Sequence, residues 1–359
     1  GSEVIETTSK TSYNGNYGLN ASWTIYNGSK RLNTIKQERL NNQVANLDVE
    51  TSENSIQESI AQIYIQILYA AESVKVNENT LQVSIAQRDR GQELLNAGSI
   101  AKSDFAQLEA QVSTDRYQLV TAQATLQDYK LQLKQLLELD GENEMNIYLP
   151  VLSDENVLLP LPAKKDVYMS ALTLRPEIEA SKINVEASEL GIDIAKAGYL
   201  PTISLSAGIG TNHTSGSDFT FGEQVKNGWN NSIGVSVSVP IFNNRQTKSA
   251  VQKAKLQRET SLLSLLDEQK TLYKTIEGLW LDANSAQQRY AAANEKLKST
   301  QISYDLISEQ FDLGMKNTVE LLTEKNNLLQ AQQEQLQAKY MAILNTQLLK
   351  FYQGDKLAL

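Results

Sequence analysis

The chain contains no cysteine and a single histidine, His213. Without thiols there is no disulfide framework, no thiolate nucleophile and no zinc cluster, and one imidazole leaves no His-based triad. Proline is scarce, six in 359 residues, so few points break a helix. Hydrophobic residues make up 41% and aromatics 7%, too little to surround every element with core, which argues against a compact enzyme. No segment approaches the ~18 consecutive apolar residues of a membrane helix, and no signal peptide opens the chain. Gly1-Ser2 reads as a scar of processing or cloning, so the expectation is a trimmed chain whose compartment the missing leader does not decide. Cations are outnumbered, 33 Lys and Arg against 42 Asp and Glu for a net charge of -9. Nucleic-acid binding needs clustered cations to release counterions, so nucleic acid is not expected as a partner.

What is present is a repeat. Gly18 pairs with Gly234 (234 − 18 = 216), and the same offset pairs Ser22 with Ser238, Ile25 with Ile241, Tyr26 with Phe242 and Asn27 with Asn243. It persists through Leu40/Leu256, Ile60/Ile276, Tyr64/Trp280, Leu81/Leu297, Gly98/Gly314, Asp104/Glu320 and Lys134/Lys350. A period this long is no solenoid unit and reads as a duplicated half-molecule.

Each half carries one very long helical run, a turn and a returning helix. From Ser29 to Asn96 there is no proline and one glycine, and Ile56, Ile60, Ile63, Ile67, Val74, Leu81 and Ile85 advance by threes, fours and sevens, a coiled-coil seam. Such a run is on the order of 100 Å long. After the Gly98 turn, Phe105, Leu108, Val112, Leu119, Ala122, Leu126 and Leu133 keep that spacing; in the second half Leu322, Leu329, Leu336 and Ile343 lie seven apart. The expected organisation is a strand segment over 1–27, a long helical hairpin over 28–139, an irregular equatorial segment over 140–175 and a helix over 176–198. A strand hairpin over 199–242, a second helical hairpin over 243–353 and a C-terminal end over 354–359 follow.

The strands alternate. Ile203, Leu205, Ala207 and Ile209 interleave with Thr202, Ser204, Ser206 and Gly208, as do Ile233, Val235, Val237, Val239 and Ile241 with Gly234, Ser236 and Ser238. Tyr17, Leu19, Ala21, Trp23 and Ile25 supply a third strand. This period of two is the signature of a transmembrane β-barrel. The 216 offset places the partner of residues 201–210 ahead of residue 1, so a further strand and its leading helix are expected upstream. Four strands do not close a barrel, and three copies would give about twelve.

Arg175-Pro176-Glu177-Ile178-Glu179-Ala180, leading to Tyr199-Leu200-Pro201-Thr202-Ile203-Ser204-Leu205, and then Val239-Pro240-Ile241-Phe242, resemble in order and spacing the signatures of the TolC-type outer-membrane channel family, and the likeness covers essentially the whole chain. The resemblance implies a mainly α protein with a small β part. Antiparallel coiled-coil helices would form an α-barrel and the strands a transmembrane β-barrel. It implies a homotrimer in outer-membrane lipid, without cofactor or enzymatic chemistry, that serves a tripartite efflux pump or type I secretion system with a periplasmic adaptor and an inner-membrane transporter. It maps the adaptor-contacting tip onto Gly98, Ser99, Ile100, Ser103 and Asp104, and onto Gly314, Met315 and Lys316. It maps the gate onto Phe311 facing Asp104 and Lys316 facing Ser103, with Glu320 and Thr323 at two narrowing rings and Glu324 as an alternative to Thr323. Phe311 stands where the family has Tyr and Lys316 where it has Arg, which removes a hydroxyl and a planar fork from the lock.

Each signal also has a plainer reading. Heptad stripes are packing, the tip glycines are turn residues needing positive φ, and Glu320 is a solvated charge. Gly208-Ile209-Gly210 lacks the helix of a phosphate loop, and His213 falls in a polar segment, 212–228, expected to be an exposed loop. Asp140, Glu142 and Glu144 lack the calcium-loop pattern, and Trp23 suits either an interfacial girdle or a core. The rival to a channel is a periplasmic coiled-coil spacer or adaptor, which explains the heptads but not the strands.

Overall fold

The computed structural model describes residues 11–139, 147–150 and 157–357. Asp140, Glu142 and Glu144 lie outside them. The chain forms two compact units, one from residues 1–45 and 180–265, the other from 46–179 and 266–359.

The first unit holds a three-stranded antiparallel sheet in the order β1-β2-β3, with β1 Asn14–Asn27, β2 Thr202–Thr214 and β3 Asn230–Ser238. Register turns the sequence alternation into two unlike faces. Trp23 lies opposite Leu205 and Leu205 opposite Val235, while Ala21, Ala207 and Ile233 form the next row. Between them run Ser22, Ser206 and Gly234, then Asn20, Gly208 and Ser232. The apolar side chains of β1 and β3 are uncovered, up to 84% exposure at Ile233, and Trp23 is among them. Packing into a core of this chain is therefore not the role of Trp23.

Two expectations in this unit need correction. Val239 and Ile241 lie beyond the end of β3. Residues 212–228 are not a simple loop: β2 continues to Thr214 because β1 supplies it a partner, with His213 opposite Gly15. Phe221–Asn227 then forms a short helix, α5, started by a Thr220/Glu223 capping box. The His213 ring packs on Phe221 at 5.0 Å.

Two 67-residue helices dominate the chain, α1 Lys30–Asn96 and α6 Gln246–Asp312; they begin and end 216 apart (246 − 30 = 312 − 96 = 216). Positive-φ residues keep the same separation: Gly28 and Asn244, Ser29 and Arg245, Gly98 and Gly314, Glu138 and Gly354. The returning helices are α2, Lys102–Leu136, and α7, Thr318–Gln353. Among the described residues no helix is both long and apolar enough to cross a bilayer.

Within 140–175, expected to be irregular, Lys164–Leu174 is a helix, α3, whose Val167 and Ala171 are fully buried against Leu272, Ile276 and Leu349. Burial of an apolar pair four residues apart outweighs the local proline signals. Helix α4, Pro176–Lys196, follows at once. Arg175 takes the extended conformation that a following proline imposes, and Pro176 occupies a first-turn position. The Arg175 guanidinium donates to Glu177 at 2.8 Å and Glu58 at 3.3 Å and stacks over Tyr352 at 4.2 Å. Burial raises the Glu58 carboxyl above its usual value despite Arg175, and pushes the Tyr352 phenol up to about 12. The Arg-Pro-Glu motif is thus an anchor joining α3 and α4 to α1 and α7.

Candidate channel tip and gate

Both helix-reversing turns are made by the same backbone device. Gly98 donates to the Leu95 carbonyl and Ser99 to that of Leu94; Gly314 donates to Phe311 and Met315 to Gln310. Each is a Schellman turn with glycine at the left-handed position, φ 73° at both. A Cβ on either glycine would meet nothing within 4 Å. The glycine is required by the conformation, and the surface over it is open.

The side chains that follow differ. At the second turn Asn317 caps α7 by accepting from Glu320 N–H at 2.9 Å, while the Glu320 carboxylate accepts from Asn317 N–H at 3.2 Å and from the Lys316 ammonium at 2.6 Å. These bonds hold the Glu320 carboxyl below the ordinary carboxylate range, Lys316 contributing most. At the first turn the capping position is Ala101, and only half the box exists: Asp104 accepts from Ala101 N–H at 3.3 Å. Gly98, Ser99 and Ser103 are exposed and Ile100 half-buried; Met315 is exposed.

The pairs that the resemblance maps across the turns are bonded otherwise. Lys316 goes to Glu320 rather than to Ser103, because the capping box folds the Glu320 carboxylate back over the start of α7, where Lys316 precedes the cap. Phe311, with no hydroxyl to place, is 2% exposed and packs with Leu108 and Leu321 instead of presenting itself to Asp104. Thr323 donates to the Val319 carbonyl at 2.7 Å, and Glu324 accepts from Ser303 at 3.1 Å.

One cluster has no counterpart among the expected residues. The Lys325 ammonium on α7 donates to Asp115 on α2 and contacts the Ser84 hydroxyl on α1, which also donates to Asp115. All three are buried, at 3%, 2% and 2% exposure. The sequence does carry a signal for them. Leu108, Val112, Asp115, Leu119 and Ala122 follow a 4-3-4-3 seam, and Leu321, Lys325 and Leu328 a 4-3 seam, so each charge interrupts an apolar stripe. The α7 stripe of Leu322 and Leu329 is only half-buried; the deeper seam runs one residue earlier. Nearby, Gln87 on α1 donates to the Tyr304 hydroxyl on α6 at 2.9 Å, and Arg90 to the Asp312 carbonyl at 3.1 Å.

A sheet with a bare apolar face and long helical hairpins reversed at glycine turns are found together with a sequence profile of one class of protein, the outer membrane efflux proteins. The chain belongs to the outer membrane efflux protein family, whose sequence profile matches residues 2–138 and 167–354. It is 24% identical over 334 residues to outer membrane efflux protein BepC of Brucella suis biovar 1 (strain 1330), covering 92% of this chain and 70% of BepC. It is 23% identical over 313 residues to outer membrane protein TolC of Escherichia coli (strain K12), covering 84% of this chain but 62% of TolC, less than two thirds of that relative's length. In fold it is similar to the solved structure of CusC, with a TM-score of 0.82 at 19% identity over 99% of this chain and 81% of that one.

Proposed function

We propose that three copies of this protein form a passive exit duct through the outer membrane, continued by a helical tunnel and gated at the tip formed by the Gly98 and Gly314 turns. The observation that carries this reading is the sheet. Its apolar face is uncovered, and among the described residues its edge strands β1 and β3 each have one unpaired side. Exposed apolar surface of this kind calls for lipid, and open edges are not tolerated there, so strands from other copies must complete a closed barrel. A periplasmic spacer has no use for such a face. The duplicated-half reading draws support from the equal helices and the positive-φ residues spaced 216 apart.

In this reading a periplasmic adaptor, linked to an inner-membrane transporter, docks on Gly98, Ser99, Ile100, Ser103, Asp104, Gly314, Met315 and Lys316. The open space over both glycines leaves room for a partner backbone to approach. Glu320 supplies the acidic ring that makes the closed tip prefer cations, with Asp104, Phe311, Lys316 and Thr323 the other gate positions of this reading. Docking shifts a two-state equilibrium towards a splayed tip. Native mass spectrometry of the full-length protein in detergent tests the assembly. A trimer of membrane-inserted chains is expected; a stable, detergent-independent monomer would contradict it.

A further inference from the structure

We propose that Lys325, Asp115 and Ser84 form a latch that ties α7 to the first helical hairpin and must release before the tip opens. The inference rests on the channel reading above and adds to it residues off the mapped gate positions. Lys316 and Glu320, which the resemblance places at the gate, satisfy each other within one turn and tie nothing across the hairpins. Lys325 does, reaching from α7 to both α1 and α2.

Burial decides what such a tie can do. Two charges removed from water gain little net stability even when paired, whereas separating them inside the protein leaves an uncompensated charge at high cost. The Lys325 ammonium is accordingly pushed below the ordinary lysine value, burial outweighing the attraction of Asp115. An arrangement poor at stabilising the fold but costly to break is suited to two discrete states. The second state has a place to form. A cavity of about 110 Å³ borders Lys325, lined also by Thr80, Val83, Tyr304, Leu328 and Gln332, and it is large enough to admit water to the ammonium once α7 shifts. The cluster is also asymmetric between the halves: 216 residues from Lys325 stands exposed Glu109, and 216 from Asp115 stands buried Ala331. Neither position's counterpart reproduces the tie.

The test uses the full-length trimer in planar bilayers with its adaptor. Lys325→Met/Asp115→Leu removes both charges together and should keep the thermal stability of the wild type while raising the open probability about tenfold or more. Because these 359 residues hold no cysteine, Lys325→Cys/Asp115→Cys can be bridged with a short, reducible bis-thiol reagent without competition from another thiol among them. The bridged channel should stay shut with adaptor present and open on reduction. A bridged channel that opens like wild type, or a charge-free double variant as tightly closed as wild type, would overturn the latch. A folded, inserted wild-type trimer that passes no current even with adaptor would overturn the channel reading itself.

Discussion

The two tip turns share a backbone and differ in nearly everything attached to it. Both are Schellman turns with glycine at φ 73°, yet the first leads into α2 through Ala101 and half a capping box, while the second leads into α7 through Asn317, a complete box and a Lys316–Glu320 pair. Backbone geometry is thus retained where a hairpin must reverse, and side chains are free to specialise. The second turn locks its charges locally; the first leaves Ser99 and Ser103 exposed for another molecule. The hairpins meet above the turns through the Leu108, Phe311 and Leu321 cluster and the buried Lys325–Asp115 pair.

The largest effect is expected where the hairpins meet. Lys325→Met alone leaves the buried Asp115 carboxylate without its countercharge, held only by Ser84 and Gln111, and should cost about 3–5 kcal/mol in chemical denaturation. The counterpart position, Glu109, is exposed, and Glu109→Met there should be nearly silent. Next comes Gly91, where α1 and α2 approach so closely that a Cβ would lie 2.3 Å from Leu108 Cδ1. Leu108 is 1% exposed and has little room to yield, so Gly91→Ala should cost about 1–3 kcal/mol by overpacking. Equal melting temperatures for this variant and the wild type would refute that close approach.

The capping difference offers a smaller and symmetrical test. Asn317→Ala should lose about 1 kcal/mol, and Ala101→Asp, which supplies the missing cap, should gain a comparable amount; both are readable from hydrogen exchange of the first turns of α7 and α2. The smallest effect concerns pH. The Glu320 carboxyl lies below its usual value of 4.5, chiefly through Lys316, so its contribution is present above pH 4.5 and is lost only as pH falls through the lowered value. Cation preference should therefore still be evident at pH 4.5 and fade only below it; a loss already complete at pH 4.5 would place the selective charge elsewhere.

Backbone features were the legible part of the sequence. Glycine at a reversal, period-two alternation and a 216-residue offset are local signals, and the structure puts strands and helices where they point. Lys164–Leu174 was hidden because Pro160 and Pro162 announce irregularity, while the burial that makes it a helix comes from residues a hundred positions away. Asp115 and Lys325 were hidden for a related reason. A charge at a seam position looks like a gap in the stripe until its partner on another helix is known. The Lys316–Glu320 pair, four residues apart across the Asn317 cap, was by contrast readable in the sequence, whereas the partners of Phe311 depended on what packed beside it, which position in a family motif does not convey.

The most direct test of a gated duct is single-channel conductance of the full-length protein in planar bilayers, wild type against Glu320→Lys. The account predicts small, cation-preferring currents whose size and selectivity change with the substitution. Conductance and cation preference left unaltered would contradict a gate at the second turn.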